Sequence, residues 1–72
     1  MENQELIKLG KKIKTIRNKL SLSQETLAAI CEFDRTYISL LERGKRNPSY
    51  INLLKLSKGL NITICELLKE DD

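Results

Sequence analysis

The sequence predicts an all-α fold of five short helices, the second and third paired as a helix-turn-helix. Three observations carry this. Apolar residues recur at helical spacing and β-branched alternation is absent, so no strand is expected. Four of the recurring stretches follow a Ser, Thr or Asp able to cap a helix N-terminus. Two stretches of about eight residues are separated by three, the dimensions of a helix-turn-helix unit.

The first helix is expected from about Gln4 to Leu20. Leu6, Leu9, Ile13, Ile16 and Leu20 are spaced 3, 4, 3, 4 and form one apolar stripe, with lysines on the other faces. Gly10 is a small helix penalty inside it. Ser21-Leu22-Ser23 breaks the pattern. Ser23 caps a second helix, Gln24 to about Cys31, that buries Leu27, Ala28 and either Cys31 or Ile30, and Glu25 suits its first turn. Glu32-Phe33-Asp34 is the turn. Asp34 caps a third helix, Arg35 to about Glu42, with Ile38 and Leu41 inward and Arg43-Gly44 at its end. Ser49 caps a fourth, about Tyr50 to Lys58, with Leu53, Leu56 and then Leu60 inward and Gly59 at its terminus. Thr63 and Glu66 read as a capping box for a fifth, Ile64 to about Lys69, ahead of an acidic tail at about 70–72.

Seventy-two residues make a single domain, 1–72. A chain of this size buries only roughly 60% of the surface exposed when unfolded, so a disulfide, a metal or a partner subunit is expected to reinforce it. There is no His, and Cys31 and Cys65 stand far apart with no C-x-x-C pair, so the chain cannot close a zinc site alone. The opening residues, with Glu2, Glu5 and Lys8, do not read as a signal peptide. A reduced, cytoplasmic chain is expected, with Cys31 as a buried apolar side chain. No stretch approaches the length of a membrane span. No catalytic residue, cofactor or small-molecule ligand is expected, because the carboxylates are scattered and no phosphate-binding glycine loop is present.

The net charge of +3 is mild, so its distribution matters more than its sum. Lys8, Lys11, Lys12, Lys14, Arg17 and Lys19 stand together without an acid, Arg43, Lys45 and Arg46 form a second cluster, and Glu66, Glu70, Asp71 and Asp72 gather at the tail. One end suits an anionic partner. On charge alone, a lysine-rich helix face serves solvation equally well, and Lys11, Lys12 and Lys14 read more readily as solvated cations than as specific contacts.

In a helix-turn-helix, the second helix of the pair enters the DNA major groove. Close packing of the two helices needs a small residue, here Ala28. The groove helix needs an apolar inner stripe, here Ile38 and Leu41, and a polar outer face, here Arg35, Thr36 and Ser39, with Tyr37 beside them. A single such helix reads few base pairs, so a symmetric dimer on two half-sites about 34 Å apart is expected. Apolar residues not needed in the core are candidates for the subunit contact: Ile51, Leu54, Ile62, Ile64, Cys65 and Leu68.

Ser23-Gln24-Glu25-Thr26-Leu27-Ala28, Asp34-Arg35-Thr36-Tyr37-Ile38-Ser39, Leu41-Glu42-Arg43-Gly44 and Asn47-Pro48-Ser49 together resemble the Cro/C1-type (Xre-like) helix-turn-helix family. Within it, Arg-Thr-Tyr-Ile-Ser followed by Glu-Arg-Gly is most similar to the controller proteins of restriction–modification systems. The resemblance runs from about Ile13 to Leu68. It implies a compact five-helix lambda-repressor-like DNA-binding domain that regulates transcription as a homodimer on a palindromic operator. It implies a phosphate contact for Gln24, groove contacts for Arg35, Thr36, Tyr37 and Ser39, and a backbone clamp of Arg43, Lys45, Arg46 and Asn47. It also implies a structural ion pair between Arg17 and Glu42. The turn position that the family commonly fills with Gly is Glu32, and a positive φ there would cost Glu on the order of 1 kcal/mol more than Gly. A second reading stays open at this point, a protein–protein module such as an antitoxin or an antagonist of another regulator.

Overall fold

The computed structural model describes residues 3–70. Asp71 and Asp72, the end of the expected acidic tail, lie outside the described residues. Five helices follow one another: α1 (Gln4–Lys19), α2 (Gln24–Cys31), α3 (Arg35–Glu42), α4 (Tyr50–Gly59) and α5 (Ile64–Leu68). No strand occurs among the described residues.

Side-chain oxygens satisfy the free N–H groups that open four of these helices. Asn3 accepts from the N–H of Glu5 at 2.9 Å and of Leu6 at 3.3 Å. Ser23 accepts from Thr26 at 3.0 Å, Ser49 from Asn52 at 3.1 Å and Thr63 from Glu66 at 3.1 Å. Asp34 departs from expectation. It occupies the capping position of α3, but its side chain makes no capping bond. The Tyr37 N–H, which that carboxylate would ordinarily take, donates at 3.0 Å to the Asp34 backbone carbonyl, tightening the first turn.

The helix ends share one closure. After each of α1 to α4 a residue takes positive φ: Ser21 (58°), Glu32 (60°), Gly44 (71°) and Asn61 (58°). The following N–H reaches back to a carbonyl of the last turn: Leu22 to Arg17, Phe33 to Ala28, Lys45 to Leu40 and Ile62 to Ser57, at 2.8–3.1 Å. This is the Schellman pattern, in which an apolar residue after the left-handed one commonly folds back onto the helix. Leu22, Phe33 and Ile62 do so and pack against the core. After α3 the equivalent residue is Lys45, which is exposed. Glu32 therefore does adopt the backbone conformation in which it is costlier than Gly.

The core consists of Ile13, Leu27, Ala28, Cys31, Ile38, Leu41, Leu56, Leu60 and Leu67, with Leu9, Ile16, Leu22, Phe33, Tyr37, Leu53 and Ile62 packed on it. One expectation is corrected by it and one open alternative is decided. Leu20 is 43% exposed, because the helix ends at Lys19 and the chain turns away. Ile30 is 53% exposed and Cys31 takes the inward position. Gly59 is the last residue of α4, at the terminus where it was expected. A Cβ on Gly59 would stand 2.5 Å from the Cys31 sulfur, so the glycine admits α4 to α2. Gly10 has the same use between α1 and α3, where a Cβ would lie 2.6 Å from the Glu42 carbonyl oxygen. The helix penalty at Gly10 is thus offset by a close approach of α1 to the end of α3.

Candidate nucleic-acid interface

The end of α3 is anchored from beneath by a buried ion pair. Arg17 Nε donates to Glu42 Oε2 at 2.6 Å and Nη2 donates to Oε1 at 3.0 Å, while Nη1 donates to the Leu22 carbonyl at 2.7 Å. Both side chains lie in residues only 8% exposed. The hydrogen bond to Glu42 raises the Arg17 pKa above its ordinary value against the opposing effect of burial. The fork also binds α1 to α3 and to the turn before α2, and Arg17 is thereby a scaffold residue. Gln24, at the start of α2, joins the network: its Nε2 donates to Glu42 Oε1 at 3.0 Å. The half-buried Gln24 amide is therefore held in one orientation. One Nε2 hydrogen is engaged, and the second remains to donate outward.

On the outer face of α3, Arg35 and Thr36 are exposed and Ser39 is half-buried. The Arg35 side chain keeps 62% of its surface and stands 4.0 Å from the Glu25 carboxylate, an exposed pair of little energetic weight. Arg43 closes the helix, its Nε donating at 3.3 Å to the Ser39 carbonyl. Lys45, Arg46 and Asn47 follow as an exposed loop up to the buried Pro48. Glu42 is the only acid between residues 35 and 47 and is consumed by Arg17. The exposed charge of this segment is therefore entirely positive, bordered by Glu25, Glu32 and Asp34.

Tyr37 has a place that its sequence position did not disclose. It is half-buried between α3 and the start of α4. The Phe33 ring meets it edge-on at 4.9 Å, and the Arg46 guanidinium lies 5.2 Å from its ring centre. Its hydroxyl accepts from Asn52 Nδ2 at 3.0 Å. These residues, with Thr36 and Leu40, line a shallow depression of about 410 Å³. Asn52 was not a candidate from sequence, since nothing in its neighbours marks an Asn inside an amphipathic helix as a site.

The six apolar candidates for a subunit contact divide. Ile51 (58% exposed), Leu68 (51%) and Cys65 are exposed, and Leu54 and Ile64 are half-exposed. Ile62 packs on the core. Tyr50, at 64% exposure, adds a large side chain to the same end of α4 and had not been anticipated. Cys31 is buried, and burial lifts its thiol pKa despite the nearby Lys55 charge.

No group of His, Cys, Asp and Glu among the described residues is arranged to hold a metal ion. None of the helices is long and apolar enough to cross a membrane.

The arrangement has close counterparts. The control protein C.MunI of Mycoplasma sp is 51% identical over 65 residues, covering 89% of this chain and 88% of that protein. The control protein C.BamHI of Bacillus amyloliquefaciens is 45% identical over 69 residues, covering 94% and 85%. The crystal structure of the restriction–modification controller protein C.AhdI from Aeromonas hydrophila superposes with a TM-score of 0.88 at 43% identity, covering 90% of this chain and 98% of that one. The controller protein C.Esp1396I, solved as a tetramer in complex with its natural 35 base-pair operator, superposes with a TM-score of 0.84 at 38% identity, covering 93% and 92%. The helix-turn-helix family profile matches residues 13–67, and the chain belongs to this Cro/C1-type helix-turn-helix family.

Proposed function

We propose that this protein is a sequence-specific DNA-binding transcriptional regulator that binds a palindromic operator as a homodimer, of the restriction–modification controller kind. The observation that carries the reading is the exposed, wholly cationic segment formed by the outer face of α3 and its following loop, locked in place by the buried Arg17–Glu42 pair. Residues 1–72 act as one binding unit, in the cytoplasm and without catalysis. Arg35 presents two donors to a guanine O6/N7 edge. Thr36, Tyr37 and Ser39 face neighbouring bases, and Gln24 donates to a phosphate beside the N-terminus of α2. Arg43, Lys45, Arg46 and Asn47 grip the backbone. Ile51, Leu54, Ile64, Cys65 and Leu68, with Ile62 beneath, make the subunit contact. Its position on α4 and α5 leaves α3 uncovered in each copy.

Selection of binding sites from random duplex DNA at physiological salt, with excess competitor, tests this reading. Wild type is expected to enrich a palindrome. Arg35→Ala is expected to bind it about 10- to 100-fold more weakly and with relaxed sequence at one symmetric pair of positions, in line with roughly 1–3 kcal/mol per bidentate base contact. Three backbone cations per copy give a slope of log affinity against log salt of about −5. A failure to enrich any sequence would overturn the reading, and a protein–protein module of the same fold would replace it.

A further inference from the structure

Asn52 sits on α4, away from the recognition helix in sequence, yet its side chain ends on the one aromatic hydroxyl of α3. A phenol carries one proton to donate and one well-directed in-plane lone pair to accept, its other lone pair being conjugated with the ring. Here the Asn52 amide supplies the proton of the shared bond, so the Tyr37 hydroxyl accepts and keeps its own proton unspent. No hydrogen bond donated by that hydroxyl occurs among the described residues. The rest of the surroundings fix the ring. Phe33 holds one side at 4.9 Å, and the Arg46 guanidinium lies over the ring at 5.2 Å. Asn52 is itself fixed, since its backbone N–H is the one that Ser49 caps. Ser49, Asn52, Tyr37 and Arg46 thus join the cap of α4, the groove helix and the phosphate-facing loop into one unit.

We propose that Asn52 is a specificity-determining positioning residue, holding the Tyr37 hydroxyl as an obligatory hydrogen-bond donor toward the DNA. The inference rests on the DNA-binding reading above. Its consequence is a polarity rule. A donor-only hydroxyl is satisfied by an acceptor such as guanine O6 or N7, thymine O4 or a phosphate oxygen, and it discriminates against the exocyclic amino groups of adenine and cytosine. Without Asn52 the hydroxyl could turn and accept, and this discrimination would be lost.

The test compares selected binding sites and affinities for wild type, N52D, N52A, Y37F and the N52D/Y37F double variant, with far-UV circular dichroism confirming that each is folded. In N52D the carboxylate cannot donate and instead accepts the hydrogen bond of the Tyr37 hydroxyl. Affinity for the wild-type operator is expected to fall about 3- to 10-fold, the scale of one or two hydrogen bonds, with lost preference at the same symmetric base pair that Y37F loses. N52A is expected to relax that position while leaving the others intact. In the Y37F background, N52D is expected to change no base preference and to leave only a uniform charge effect on affinity. An N52D variant with the wild-type sequence preference, or one whose effect is the same with and without the Tyr37 hydroxyl, would overturn the inference while leaving the function standing. Failure of wild type to select any sequence would instead remove the function and the inference with it.

Discussion

The α1–α3 half and the α4–α5 half of this small fold are finished in different ways. In the first, directional polar bonds complete the packing: Arg17 is bonded to Glu42 and to the Leu22 carbonyl, and Gln24 closes on the same carboxylate. In the second, packing is left more widely incomplete, with Tyr50, Ile51 and Leu68 each more than half exposed, against Ile30 alone among the large apolar side chains described in the first. A buried ion pair adds little net stability over apolar residues of the same shape, but it tolerates only one geometry. An apolar surface is forgiving in geometry, and a second copy can cover it. The half that carries the candidate base contacts is built for fixed orientation, and the half that carries the candidate subunit contact is built for association.

The sharpest way to break this contrast is to remove one partner of the ion pair. Glu42→Ala leaves a buried guanidinium unpaired and is expected to cost about 3–5 kcal/mol, read as the urea midpoint by circular dichroism. Arg17→Met with Glu42→Leu should recover most of that stability. If the double replacement were as unstable as the single one, the pair would be a net source of stability and not chiefly an orienting device. On the other half, Ile51→Glu is expected to keep the fold and yield a monomer in sedimentation at micromolar concentration. Operator affinity would then fall on the order of 10³-fold, toward non-specific binding. A folded Ile51→Glu dimer would move the subunit contact elsewhere.

The two cysteines give a finer probe of each half. Cys65 is exposed and Cys31 buried, so iodoacetamide should alkylate Cys65 first, more slowly as protein concentration rises and copies associate. Burial holds the Cys31 thiol above its ordinary value of 9.0. The unfolded chain therefore loses that proton first, and stability should fall as pH rises above about 9, until the folded thiol also ionises. Cys31→Ala should flatten this slope in pH-dependent urea melts. The smallest effect is expected at the turn: Glu32→Gly should raise stability by about 0.5–1 kcal/mol, a few degrees in melting temperature, by relieving the 60° φ.

Much of the molecule was legible because its signals are local. Ser23, Ser49 and Thr63 cap the helices that they precede, and the apolar spacing placed Ile13, Leu27, Ile38, Leu41, Leu56 and Leu60 inside. The outward residues of α3 follow from the same periodicity. What escaped depends on contacts between distant segments. Gly10 and Gly59 look like punctuation in the sequence but serve helix–helix approach, which no local pattern encodes. Leu67 is buried and Leu68 exposed, because a helix as short as α5 gives too few turns to define a face. Asn52 gains its meaning only from Tyr37, fifteen positions earlier.

The repeated helix closure also bears on how the chain reaches this state. Each of α1 to α4 is ended by bonds spanning only three to five residues, and three of the four ends tuck in an apolar side chain contributed by the next residues. Structure of this kind is assembled from near neighbours along the chain, and helical domains with such local topology fold in microseconds to milliseconds. Encounter between copies depends on concentration and is slower. Refolding should thus separate into a fast first-order phase and a later second-order one, with the individual copy complete before its partner arrives.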